Sequence, residues 1–283
     1  MQQIKDLVAT DISRGLFEKI QKGLAIKGKS EFNYYVSSQG NDADADGTEQ
    51  KPFKTIHKTL QFIYEKHPCN NDVKMINIVF LTDFTDTSHI VIDSRLYSSF
   101  ISFRANNKNV ILSTVQITNA RADFRGIKFK PKGSGSYSSP IAVTNYSTCN
   151  ITDCTFLSTS DSYSQYIICT TMSTVTILGD IVINIENTSL KNSFISVYNK
   201  STVAISQANL ILQSNMTVSN FYLVSRQSEV YVHSTSNITS NKYSVTGKKY
   251  SVNTLSNLNT LGRGDAVLFG NKAGEIIKDG KVY

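Results

Sequence analysis

The sequence predicts an all-β chain wound into a parallel β-helix, in which each turn lays down three short strands. Two observations carry this. The first is a repeat running from about Val115 to Val252. Ile151, Ile177, Ile205 and Val232 stand 26, 28 and 27 residues apart, with Phe124 a further 27 upstream. Phe129, Phe156, Ile183 and Leu212 form a second column with steps of 27, 27 and 29. Ile117, Val143, Cys169, Val197 and Val224 form a third with steps of 26, 26, 28 and 27. The second observation is alternation of apolar and polar residues within each unit, as in Ile141-Ala142-Val143 and Val203-Ala204-Ile205. That is the period of a strand rather than a helix. A single turn of this kind cannot bury its apolar face alone. Turns stacked ~4.8 Å apart place equivalent residues above one another and bury a continuous column.

Composition agrees. A chain of 283 residues that is 40% hydrophobic can fill a long core, and with four Pro and no Trp little interrupts it. Ser, Thr and Asn between the apolar columns suit outward strand positions and corners. The net charge is +7, but the Lys and Arg are dispersed, and no basic run is interleaved with aromatics. A nucleic-acid partner is therefore not expected. Of the four cysteines, Cys149, Cys154 and Cys169 fall on or beside inward columns and read as small buried hydrophobes, while Cys69 lies apart. No cysteine spacing suggests zinc. The opening Met1-Gln2-Gln3-Ile4-Lys5-Asp6 lacks the apolar run of a signal peptide, and no segment reaches transmembrane length. Synthesis in a cytoplasm, without membrane insertion, is the expectation. Asn-x-Ser/Thr triplets, as at Asn145 and Asn199, arise by chance in so Asn-, Ser- and Thr-rich a chain.

Residues 1–30 form a separate helical segment. Ile4, Leu7, Val8, Ile12, Leu16, Phe17 and Ile20 recur at helical spacing, and Gly23 and Gly28 would end it. So short a segment needs a partner, which could be the body, sister copies or a docking protein; the last two are favoured because a β-helix body needs no leading helix. Residues 31–68 hold the strand Asn33-Tyr34-Tyr35-Val36-Ser37, an Asp-rich loop and a capping helix. In that helix Pro52 would occupy the first turn, and Phe53, Ile56, Leu60 and Ile63 would make the apolar stripe. Such a helix is a natural lid for the open end of a β-helix. Residues 69–255 form the body, with Ile76–Phe80 as its first strand and Ile90–Ile92, Phe100–Phe103 and Val110–Leu112 following. The 21 residues from Val224 to Val245 suggest that the helix narrows and ends near Leu255. Residues 256–283 would then be a glycine-punctuated distal tail, with no lid of its own.

The order Tyr34-Tyr35-Val36-Ser37, an Asp-rich loop closing in Asp46-Gly47, and then Pro52-Phe53-Lys54-Thr55-Ile56 resembles the opening of pectin-lyase-like right-handed β-helix proteins, above all phage tailspikes and tail fibres. The run Leu261-Gly262-Arg263-Gly264-Asp265 through Ala273-Gly274 to Gly280-Lys281-Val282-Tyr283 is similar to the endings of many phage tail-fibre proteins. The resemblance covers nearly everything after residue 30. It implies a right-handed coil, a homotrimer, a place on the virion tail, and binding to a host surface polysaccharide or other receptor. Residues 1–30 would dock on a tail or baseplate protein. Fold alone does not imply catalysis.

Depolymerising tailspikes use paired carboxylates. The candidates here are Asp153 and Asp180, 27 residues apart and so one rung apart, with Asp161 and Glu186 a weaker pair. Stacked acids would push one pKa up, as an acid–base pair needs. The competing reading is that a corner Asp caps backbone N–H groups. Asp42-x-Asp44-x-Asp46-Gly47 resembles half of a calcium loop, but the twelfth position is Phe53 rather than Glu, which excludes an EF-hand. A looser structural calcium site or a plain turn remain the two readings. His57, His67, His89 and His233 are scattered, and Gly133-Ser134-Gly135-Ser136 reads as a turn rather than a phosphate loop. Three functions are consistent with these residues. One is a receptor-binding fibre. The second is a polysaccharide hydrolase or lyase of the same fold, which the scarcity of acids in the body disfavours. The third is a bacterial adhesin, which the missing signal peptide disfavours.

Overall fold

The computed structural model describes residues 31–67, 73–96, 99–131, 139–158, 165–185, 189–240 and 242–283. Residues 1–30, Cys69, Asp161, Glu186 and the Gly133–Ser136 turn lie outside them. These residues form a right-handed parallel β-helix of about seven turns, with one α-helix among the described residues.

The three sequence columns are three ladders of paired residues. Phe124 lies beside Ile151, and Ile177, Ile205 and Val232 follow in register. Phe129, Phe156, Ile183 and Leu212 pair in turn. So do Ile117, Val143, Cys169, Val197 and Val224. All of these side chains are buried. The first ladder extends upstream through Phe103, Ile78 and Tyr34, since Glu31–Val36 pairs in parallel with Met75–Phe80. The body therefore begins at Glu31 rather than at Ile76. Inside the coil the rings of Phe103, Phe124, Phe129, Phe156, Phe194, Phe221 and Phe269 follow one another at centroid distances of 5.0–5.5 Å. The first four contacts alternate stacked and edge-on and the last two are tilted, the offset geometries that aromatic pairs favour.

The expected narrowing after Val232 does not occur. Val224 pairs with Val252, and Val252 with Ile276, while Val245 belongs to a different ladder, beside Met216. The apparent 21-residue step joined two ladders. Residues 256–283 are likewise built into the coil. Asn257–Asn259 pairs with Glu229–Val232, and Lys281–Val282 pairs with Asn257–Asn259. Nor is the distal core bare. A 3₁₀ turn, Gly264–Val267, delivers the buried side chains Val267, Leu268 and Phe269 into the core, where Phe269 meets Phe221. Arg263 pins this plug by donating to the carbonyls of Ser236 and His233 at 2.6 and 2.5 Å.

The opposite end carries helix α1, Ile56–Lys66. Its N-cap is Thr55, whose hydroxyl accepts the Lys58 N–H, so Pro52 lies before the helix rather than in its first turn. Ile56, Leu60 and Ile63 face the core, joined by Thr59 and Tyr64. Phe53 is buried ahead of the helix, where it bridges to Val36.

One corner repeats a backbone device on successive rungs. Asn145-Tyr146, Thr171-Met172, Asn199-Lys200, Arg226-Gln227 and Thr254-Leu255 all have both residues at positive φ. Each such residue costs about 1 kcal/mol without a compensating contact. The compensation is visible on every rung, because the second residue donates its N–H to the first residue of the next turn, as Met172 does to Asn199 at 2.9 Å. Immediately after each pair stands a buried serine. The Ser147 N–H donates to Ser173 Oγ, Ser173 to Ser201, Ser201 to Ser228 and Ser228 to Ser256, at 3.1–3.2 Å throughout.

Candidate functional site

The structure places Asp153 and Asp180 one rung apart at a second corner, both exposed. Asp153 Oδ1 accepts the backbone N–H of Asp180 at 2.9 Å. Asp180 accepts from Asn209 Nδ2 at 2.8 Å, and Asn209 from Asn237 Nδ2 at 3.3 Å. This is a corner ladder. It brings the two candidate carboxylates together, but it uses Asp153 as a backbone cap and Asp180 as an acceptor for Asn209.

The three loop aspartates are not brought together. Asp42 caps the chain ahead of α1, accepting from the N–H groups of Lys54 and Thr55 and from the Thr55 hydroxyl. Asp44 accepts from Asn41, and Asp46 accepts from the N–H and hydroxyl of Thr48, which hold its carboxyl below the usual range. Gly47, at φ +79°, closes the expected turn. No group of three or more His, Cys, Asp or Glu could hold a metal ion among the described residues. Cys149, Cys154 and Cys169 are buried free thiols. Burial pushes Cys154 and Cys169 up to about 12, which leaves them unreactive.

Two sites escaped the sequence reading. The first is a polar network on the outer face of the first rungs. Asn77 donates to Glu31 and Asn33 at 2.6 and 2.7 Å. One rung on, Ser102 and Arg125 Nε both donate to Asp123 Oδ2 at 2.7 Å, and Arg104 reaches Ser102 and Glu31. Asp123 is only 2% exposed although it faces outward. The signal was present in the sequence, since Asn33, Asn77, Ser102 and Asp123 occupy one register position between inward residues.

The second is a cleft of about 230 Å³ between α1 and the strand Phe84–Ile92. Leu60 and Tyr64 of α1 and Ile90 of the strand form its buried floor. His57 and Gln61, one helical turn apart, rim one side, and Ser88 and His89 rim the other. The strand's register shifts between Asp86 and His89, and this bulge turns its side chains toward the helix. Arg95 closes one end. Its guanidinium lies 3.8 Å from the centre of the Tyr64 ring and grips Asp93 through two bonds of 2.8 Å. That grip holds the Asp93 carboxyl below its ordinary range, while burial raises the Tyr64 hydroxyl to about 12. No acid among the described residues lines the cleft. Sequence reasoning left His57 and His89 as scattered residues because the bulge and the helix placement that pair them are tertiary.

No helix among the described residues is long and apolar enough to cross a membrane. Comparison with protein-family models, with curated proteins and with solved structures finds no match to this chain.

Proposed function

We propose that this chain is a tail-fibre or tailspike component of a phage virion that binds a host cell-surface polysaccharide. It would act as a homotrimer docked to the tail or baseplate through residues 1–30. The opening and closing motifs supply the resemblance. A rigid coil whose corners are locked rung to rung suits a fibre that must present contacts without reorganising. Three copies would multiply weak glycan contacts through effective concentration. The trimer reading now rests on the resemblance, because the distal core is filled by the chain's own plug.

The observation that favours binding over cleavage is the use made of the candidate acids. Asp153 is occupied with the Asp180 N–H, and the cleft beside α1 has no carboxylate among its described lining residues. One observation favours the second reading, a hydrolase or lyase of the same architecture. Asp123 is a buried acid on an outer face, set beside Arg104 and Arg125. Host surface polysaccharide immobilised on a sensor tests the proposal. Saturable binding of the purified protein is expected, and absence of binding to polysaccharide from every susceptible host would end it.

A further inference from the structure

We infer that the cleft between α1 and the strand Phe84–Ile92 is a subsite for one N-acetylated amino-sugar residue of the bound glycan. This rests on the glycan-binding reading and gives it a location and a chemistry.

The size comes first. About 230 Å³ accommodates one sugar ring with a substituent, and nothing much larger. Polarity follows. An acetamido group needs a dry patch for its methyl and, beside it, both a donor and an acceptor for its amide. Leu60 and Ile90, each 4% exposed, supply the dry patch, and the exposed Val91 extends it to the mouth. The rim supplies His57, Gln61, Ser88 and His89, and every one of these side chains can both donate and accept. A bare anion would call instead for unpaired cations. The cation at this cleft, Arg95, is already held by both oxygens of Asp93, so it adds little net charge. Burial depresses the pKa of His89, which keeps its ring neutral at neutral pH. The rim therefore carries groups that both donate and accept over an apolar floor, which matches an acetamido sugar better than an acidic or an unsubstituted one.

The geometry is also pre-set. Gln61 donates to Glu65 at 2.9 Å and accepts from Lys58 Nζ at 3.5 Å, which holds its amide along the exposed side of α1 with one N–H still to give. Ser88 donates its backbone N–H to Asp86 at 2.8 Å, fixing the bulge from which its hydroxyl and His89 project. A ligand entering here meets groups held by their own neighbours, so less entropy is lost on binding.

Saturation-transfer NMR and titration of the full chain with N-acetylglucosamine, N-acetylgalactosamine, glucose and glucuronate test the inference. The acetamido methyl should receive the strongest saturation, and both acetamido sugars should bind at least several-fold tighter than glucose. Gln61→Ala and His89→Ala should each weaken them about tenfold, the cost of one or two hydrogen bonds to a neutral group. Val91→Trp should fill the cleft and abolish binding. All three positions are exposed, and an unchanged circular dichroism spectrum shows that the variants fold. Tyr146→Ala, on the far corner, should bind as the parent does. Equal binding of glucose, tighter binding of glucuronate, or unchanged affinity in the cleft variants would overturn the inference. Retention of whole host polysaccharide is read in parallel. If the parent retains it and the cleft variants retain it equally, the subsite is wrong and the glycan-binding function stands. If the parent retains none, the function falls, and the monosaccharide titration still decides the cleft.

Discussion

Replacing Ser173 by Ala probes the ladder that locks one turn to the next. Ser173 is 1% exposed, and its hydroxyl accepts the Ser147 backbone N–H at 3.2 Å while donating to the Thr171 carbonyl at 3.4 Å. The Ser147 N–H has no other hydrogen-bond partner among the described residues, and Ser147 is itself 1% exposed. Alanine leaves that donor buried and unpaired, a cost of about 1–3 kcal/mol. Unfolding entropy near ~2.1 cal/mol/K per residue, taken over 283 residues, gives about 0.6 kcal/mol/K. The expected drop in Tm is therefore about 2–5 °C. Denaturant titration followed by far-ultraviolet circular dichroism and by tyrosine fluorescence measures the loss and checks that both probes report one transition. Thr174→Ala, one residue on and facing outward, is the control, with an expected effect within about 0.5 kcal/mol. In Ser173→Ala/Ser201→Ala the two residues belong to one ladder and are bonded to each other, so the summed cost should depart from additivity. A Ser173→Ala protein no less stable than the Thr174→Ala control would refute the ladder as a source of stability.

Gly179→Ala should destabilise by more than the ~1 kcal/mol of an ordinary positive-φ glycine. Its new Cβ would collide with the Asp153 carboxylate, whose Cγ would lie 2.9 Å away, and removing that carboxylate with Asp153→Ala should recover part of the loss in a double-mutant cycle. The lid should weaken in mild acid. Burial holds the His67 pKa below its unfolded value of ~6.5, so the unfolded chain binds the extra proton. Stability is then full above about pH 6.5 and falls as the pH drops toward the folded pKa. Thermal melts of His67→Gln, which loses the 2.6 Å bond to Tyr34 Oη, should show a flatter slope over that window. Asp153→Asn and Asp180→Asn should leave polysaccharide binding intact, since Asn keeps a carbonyl for the capped N–H; loss of binding on the sensor would give these acids a direct role. Multi-angle light scattering of the full chain at micromolar concentration should return a trimer mass, and a monomer would remove the homotrimer.

The ladders were legible because a β-helix turns each structural column into a sequence period. Ile151, Ile177, Ile205 and Val232 could be read directly, and so could the lid stripe Ile56, Leu60 and Ile63. What failed was bookkeeping at the end of the repeat. Val224 and Val245 are both inward valines, and only pairing distinguishes the ladder that continues to Val252 from the one that reaches Val245. The distal plug was hidden because Val267, Leu268 and Phe269 follow no strand period. The serine ladder was readable in principle, since its partners stand 26, 28, 27 and 28 residues apart. Serine is so common here that the period did not stand out beside the apolar ones. The corner role of Asp153 was available as one of two readings, because 27 residues fix the rung but not which atom the carboxylate meets. The cleft was not readable at all. It needs the bulge near Ser88 and the docking of α1 at once.

The most direct test of the central claim is a time course of polysaccharide mass. Purified protein is mixed with host surface polysaccharide and passed through size-exclusion chromatography with light scattering, which reads co-elution and polymer length together. Co-elution of the protein with polymer whose mass stays constant over hours is expected. A polymer that shortens with time would contradict it and assign the chain to the depolymerases, and protein that elutes alone beside intact polymer would contradict the binding function itself.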